Sequence, residues 1–346
     1  MKKQIIMIVA AMSFAITGCQ GSTSASSNTK TTTAVEETSE EETQPETEAW
    51  SEEEELALYN KYIGINNYMV GRINDSLTRY FNYVEYQEEF ANKEQNYYCY
   101  SLSSDQIKRV GDTYTIAEAK SEKTELDEAF LRMYPSIIEV MGCLNDIEEY
   151  TDMKSYLDDD YGKGKELHAV LWKSVNEYTE TGDAFMAALS VEANIRREAG
   201  MQQLKDEGYE TLYAINRVMY SAQAIQEELF HQGVSDENIL DMNLEIIQPL
   251  YEEFVADVEK VMELSEDKEK LEKEGISMGN MGNLSLFKSS MKHTKTSMTE
   301  VLDKVKEGKP LDQYDLMVSN LSGHCSLTSF YSGISEMIGH YNNMIR

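Results

Sequence analysis

Apolar side chains recur along this chain in steps of three and four. Leu56, Tyr59, Ile63, Asn66, Val70, Ile73, Leu77, Tyr80 and Val84 form the clearest such stripe. That spacing keeps residues on one face of an α-helix, whereas a strand would bury every second residue. The same pattern predicts helices over about 105–119, 123–157, 163–206, 209–231, 236–272, 283–306 and 312–345. Local residues account for the breaks. Ser104 is placed to cap one helix, and Gly208 and Gly233 mark helix ends, with Ser235 as the next cap. Gly162 and Gly164 interrupt after Asp158–Asp160, and loops fall at Gly275–Gly282 and Gly308-Lys309-Pro310. Pro135 and Pro249 lie inside helical patterns, where kinks or breaks are expected. The fold class that follows is all-α, an elongated up-and-down bundle of about six to eight helices in one domain over 56–346.

The last helix differs from the others. It carries no formal charge between Asp315 and Glu336, while the rest are dense in Glu and Lys. A helix uncharged all round is expected to be wrapped by neighbours, so it is placed at the centre of the bundle. The first and last helices both hold Asn on or beside their stripes, at 60, 66 and 67 and at 342 and 343. A buried Asn needs a partner, and another Asn both donates and accepts. Antiparallel packing of these two helices, with Tyr59 and Ile63 near Tyr341 and Ile345, is the arrangement expected.

The N-terminus follows a different pattern. Lys2 and Lys3 precede an uncharged, mostly apolar run, Ile5 to Ile16, of 12 residues. It is too short to span a bilayer but suits a signal peptide over 1–18. The run ends in Ile16-Thr17-Gly18-Cys19, which resembles the lipobox of bacterial lipoproteins. The resemblance implies a diacylglyceryl thioether on Cys19, cleavage after Gly18, and anchoring to the extracytoplasmic face of a cell membrane. Two acyl chains make such an anchor durable. The alternative is an ordinary signal peptide with a chance Cys.

Residues 20–50 hold 13 Ser plus Thr, and 20–55 hold 11 Glu against one Lys. Low hydropathy with high charge cannot offset the entropy of ordering, so 19–55 is expected to be a disordered stalk. No later run suits a membrane span; Leu316 to Ser335 is uncharged but rich in Ser.

The chain has 346 residues and a net charge of −31, from 31 Lys plus Arg and 62 Asp plus Glu. That balance argues against a nucleic-acid partner, whose phosphates need basic clusters. It also disfavours electrostatic docking on anionic lipid.

Candidate chemistry is sparse. Glu228 and His231 match Glu-x-x-His, half of a di-metal carboxylate site, and Glu336 with His340 could form another half. An exposed ion pair or a His at a helix end is the plainer reading of both. His324 beside Cys325 suggests a nucleophile and base, but adjacent helical residues point about 100° apart. Asp158-Asp159-Asp160 fails the calcium-loop pattern, because positions 5 and 6 would be Gly162 and Lys163. A casual cation site there remains the alternative. Ser285 with Lys288 and Ser289 with Lys292 match Ser-x-x-Lys, without the sheet and Lys-Thr-Gly strand that chemistry needs. Gly275–Gly282 lacks the context of a phosphate loop. Cys99, Cys143 and Cys325 are expected to be free, the latter two as small apolar residues on helices. Tyr97-Tyr98-Cys99-Tyr100 is either a contact patch or aromatic cover over helix ends. No catalytic, cofactor-binding or metal-binding residue is assigned; the one site residue is Cys19, for lipid attachment.

Three stretches together carry a family resemblance. Tyr59-Asn60-Lys61-Tyr62-Ile63 with Ser76-Leu77 and Tyr80-Phe81, then Tyr156 to Asp160 with Gly162 to His168, then Tyr341 to Ile345, resemble the YiiG-like bacterial lipoproteins of unknown function. The resemblance covers about 56–346. It implies an all-helical extracytoplasmic domain with no established catalysis, and supplies no functional residues. The leading expectation is a non-enzymatic lipoprotein that binds a protein or cell-wall partner. A solute- or metal-binding lipoprotein, and an envelope hydrolase, are the alternatives.

Overall fold

The computed structural model describes residues 50–92 and 99–345. The signal peptide, Cys19, the stalk as far as Ala49, and Tyr97 and Tyr98 lie outside the described residues. The fold is all-α. Among the described residues there is no strand, only an isolated bridge between Val84 and Asn92. Contacts gather the chain into two compact units that divide at Ala193 and Asn194.

In the first unit, α1 (Glu52–Tyr68) runs through a π-helical turn (Met69–Ile73) into α2 (Asn74–Tyr83). The helix starts at Glu52, within the acidic run assigned to the stalk. A reciprocal capping box starts it: Glu54 N–H donates to Ser51 Oγ, and Ser51 N–H to the Glu54 carboxylate at 2.9 Å. Glu52 to Glu55 then meet the positive end of the helix dipole, which favours order. The π turn takes up an extra residue and turns the buried face. Ile63 and Val70, on the expected stripe, are half-buried, while Tyr62, Ile65 and Met69 are buried.

Next come α3 (Ser104–Ala119), α4 (Glu125–Asp152), the short α5 (Tyr156–Asp159) and α6 (Gly162–Asp206), of which Asn194 onward belongs to the second unit. Their contacts fix an up-and-down arrangement. α3 runs against α4, pairing Leu102 with Asn145 and Lys120 with Asp127. α6 runs against α4, through Ser136–Thr181 at 3.0 Å and the Cys143 thiol on the Leu167 carbonyl. It also runs against α1 and α2, through the Tyr62–Phe185 and Tyr80–His168 contacts. Pro135 sits inside α4 without breaking it, and Gly164 does not interrupt α6.

The second unit holds α7 (Glu210–His231), α8 (Leu244–Leu264), the short α9 (Lys268–Lys273), α10 (Met281–Lys306), the short α11 (Gln313–Met317) and α12 (Leu327–Met344). α7, α8, α10 and α12 form a four-helix up-and-down bundle of antiparallel neighbours. Arg217 meets Glu253 and Asp257 between α7 and α8, and Tyr251 meets Thr299 between α8 and α10. Ser297 and Ser329 join α10 to α12 at 2.9 Å, and Asn216 donates to Tyr341 Oη at 2.8 Å between α7 and α12. Gly208, Gly233, Gly275 and Gly308 close helices in left-handed backbone, as expected of glycine there. The N–H of the residue after each bonds back to the last turn, for example Val234 to the Leu229 carbonyl at 3.0 Å.

Four expectations are corrected here. The helix over 236–272 is interrupted: Asn243, not Ser235, caps α8, and α9 is separate. The helix over 312–345 is broken between α11 and α12, where Gly323 takes positive φ and Ser326 starts a new cap. α12 is buried on most of its surface but exposes Ser335, Glu336, Gly339 and Asn343. The first and last helices fall in different units. α12 packs on α10 and α7, while α1 packs in the first unit with Tyr62 against Phe130. Of the Asn residues invoked, Asn66 is buried, Asn60, Asn67 and Asn343 are exposed, and Asn343 offers its carbonyl to Asn283.

Candidate functional site

The α4–α6 junction in the first unit brings together the most unusual backbone and the densest aromatic packing. α4 ends in a Schellman-type turn, with Ser155 N–H on the Tyr150 carbonyl at 3.1 Å. Its left-handed position is Lys154, with φ of 55°. Asp160 and Tyr161 follow with φ of 50° and 61°. Asp159 holds the turn: it accepts from Tyr150 Oη at 2.6 Å and from the Lys163 N–H at 2.9 Å. The Tyr150 hydroxyl and Lys163 amide hold its carboxyl below the usual range. The Asp158–Asp160 run is therefore a helix cap in part, with Asp158 and Asp160 left at the surface.

Beneath the turn lies an aromatic cluster. Tyr161 stacks on Tyr156 at 5.3 Å and lies 5.9 Å from Phe90. Phe90 stands edge-on to His168 at 5.6 Å, and Trp172 packs against Tyr86 at 4.8 Å. The His168 ring is buried with both nitrogens bonded. Nε2 lies 2.9 Å from the Gln87 carbonyl, which can only accept, so Nε2 carries the proton. Nδ1 then accepts from Tyr80 Oη at 2.8 Å. Burial holds the imidazole pKa below its usual value, consistent with the neutral ring. Neither nitrogen is left for a ligand or a substrate. His168 fastens the segment after α2 to α6.

A second polar constellation was invisible in the sequence. Lys120 and Asp127 are each 2% exposed and 2.7 Å apart. Lys120 also meets Glu55 at 2.8 Å, and Tyr62 Oη donates to Asp127 at 2.7 Å. Burial disfavours both charges, but the mutual hydrogen bonds outweigh it, raising the Lys120 pKa and lowering that of Asp127. Asp127 also completes the capping box of α4 with Thr124. Nothing in the sequence joined these residues, since Tyr62 and Glu55 come from 65 residues away.

The residues singled out from the sequence are dispersed. Glu228 accepts from Gln232, and His231 is exposed. Glu336 accepts from Ser290 at 3.0 Å. Lys288 pairs with Glu266 at 3.0 Å, while Ser285, Ser289 and Lys292 are exposed. Gly275–Gly282 is a helix end and a short 3-10 turn. Cys325 is buried, but in the connection before α12 rather than on a helix. Burial pushes its thiol up to about 11, and those of Cys99 and Cys143 up to about 12. Such thiols are poor nucleophiles at neutral pH. Among the described residues no group of three His, Cys, Asp or Glu side chains could hold a metal ion, and no helix is long and apolar enough to cross a membrane.

These units and their capped, internally bonded polar groups define an all-helical protein. Residues 53–343 match the family model described as a protein of unknown function, DUF3829, and the chain belongs to that family. It is also 23% identical over 248 residues to "Uncharacterized protein YiiG" of Escherichia coli (strain K12), covering 65% of this chain and 71% of that protein. The YiiG-like resemblance in the sequence is thus supported. No solved structure matches.

Proposed function

We propose that this protein is a lipid-anchored, extracytoplasmic lipoprotein whose helical body is a non-enzymatic interaction module of the cell envelope. The observation that carries the anchor is Ile16-Thr17-Gly18-Cys19 after a basic start and a 12-residue apolar run. The thiol of Cys19 takes the diacylglyceryl group, and the Glu-rich segment after it spaces the body from the bilayer. The interaction reading draws support from the body itself. Each described cysteine is buried with its thiol pKa raised, and His168 spends both nitrogens on packing contacts.

The test is metabolic labelling with a palmitate analogue in the wild type and in Cys19→Ala. The wild type is expected to take up label and fractionate with membranes, and the variant to lose both label and processing. Equal membrane retention of an unlabelled variant would remove the anchor from the proposal.

A further inference from the structure

Among the described residues, left-handed backbone is otherwise left to glycine. Gly208, Gly233, Gly275, Gly308 and Gly323 take positive φ, and the non-glycine residues that do so are Lys154, Asp160 and Tyr161. All three lie in the turn that joins α4 to α6. An L-residue is strained there, and strain persists only where surrounding structure holds it. The Tyr161 ring is used internally, on Tyr156 and Phe90. The Lys154 and Asp160 side chains are exposed and bond to no described residue. Replacing either by glycine would relieve the backbone at no internal cost, so nothing inside the fold accounts for their presence.

The same turn displays the two most exposed large apolar side chains of its unit, Leu157 at 72% and Met153 at 63%. Around them stand the exposed carboxylates of Asp152, Asp158 and Asp160, which outnumber the one exposed amine of the turn, Lys154. The scaffold beneath is firm, through the Tyr150–Asp159 bond and the Tyr156–Tyr161 stack. Two apolar knobs on a preorganised turn, ringed by unpaired carboxylates, have the anatomy of an interface core with a charged rim. A bilayer is the poorer occupant, because anionic headgroups repel the three carboxylates.

We propose that the 152–160 turn docks a protein partner whose contact site is an apolar pocket rimmed by Lys or Arg. Met153 and Leu157 enter the pocket, and Asp152, Asp158 and Asp160 meet the rim. This rests on the interaction reading above and names its contact surface and partner chemistry.

The experiment places a photo-crosslinking amino acid at Leu157 of the full chain in intact cells. The same group at Glu180 on α6 and at Lys292 on α10, both exposed, gives the comparison. The expected result is a protein adduct from position 157 that is absent from 180 and 292. The captured peptide is then identified, and binding of the two purified proteins is measured. Leu157→Ser or Met153→Ser should weaken binding at least tenfold with unchanged circular dichroism. Asp158→Asn with Asp160→Asn should weaken it severalfold at low salt and little at high salt, since salt screens exposed charges. Five outcomes overturn the proposal. An adduct to lipid at 157 assigns the turn to a bilayer. An adduct at 157 whose affinity is indifferent to Leu157→Ser removes the apolar contact. Binding indifferent to the Asp changes removes the basic rim. Adducts from 180 or 292 alone sink the turn but leave the interaction reading standing, whereas no protein adduct from any of the three sinks both.

Discussion

Gly333 on α12 faces Thr294 on α10 where the two helices come closest, and the sign of a single methyl addition there tests the packing. A Cβ at Gly333 would lie 2.2 Å from Thr294 Oγ1, 3.1 Å from its Cβ and 3.3 Å from its Cα. Rotating the hydroxyl away would remove the first contact, at the cost of its 2.7 Å bond to the Ser290 carbonyl. The other two contacts involve a fixed carbon and the backbone, so the helices themselves must separate. Separation would disturb the Ser297–Ser329 bond on the same seam. Overpacking of this kind costs about 1–3 kcal/mol, more where backbone must move. Against it stands the helix propensity of Ala, which favours the variant by about 1 kcal/mol. The net expectation for Gly333→Ala is a loss of about 1–2 kcal/mol. Gly339 lies on the exposed side of the same helix with nothing within 4 Å of its built Cβ. Gly339→Ala should therefore show the propensity gain alone. Urea unfolding followed by circular dichroism compares the two, and Thr294→Ala added to Gly333→Ala should recover part of the loss. If Gly333→Ala is as stable as the wild type or more so, the close approach of α10 and α12 is wrong.

Other changes probe the remaining devices. Lys154→Gly should stabilise the protein by about 0.5–1 kcal/mol, because glycine adopts the left-handed turn without strain; a lower unfolding midpoint would contradict the strain. Asp127→Asn strips the buried Lys120 of its closest partner and should cost about 3 kcal/mol. Its pH profile follows from the shifts. The lowered Asp127 pKa makes that contribution full above about pH 4 and lost as pH falls through the folded value. The raised Lys120 pKa makes its contribution full below about pH 10 and lost as pH rises through the folded value. Melting temperatures of wild type and Asp127→Asn should converge in acid, and a constant gap down to low pH would refute this. Asp236 accepts from the Leu327 N–H at 2.5 Å and the Thr328 hydroxyl at 2.6 Å. Asp236→Ala should cost about 1–2 kcal/mol and speed hydrogen exchange at those amides; unchanged protection would mean that the cap is idle.

The helices themselves were written in the sequence. Three- and four-residue spacing specified α3, α6, α7 and α10 to within about two residues, because periodicity and glycine ends are local properties. The family, too, was legible, since its motifs are strings of residues. Features that depend on residues far apart were not. The breaks within 236–272 and 312–345 escaped notice because no proline marks them. The start of α12 is held also by Asp236, some 90 residues earlier, whose carboxylate takes the Leu327 and Thr328 N–H groups beside the local Ser326 cap. The buried Lys120–Asp127–Glu55–Tyr62 group has the same origin: Glu55 fell in the expected stalk and Lys120 between two expected helices, and nothing joins them until α1 is laid against α3 and α4. The choice of partners for α1 and α12 was likewise open, because an apolar stripe states that a face will be buried and not against what. The exposure of Met153 and Leu157 also awaited the structure. Met153 falls on the outer face of α4 with Asp146 and Glu149, and the left-handed turn at Lys154 ends the helical run expected to reach 157 before Leu157.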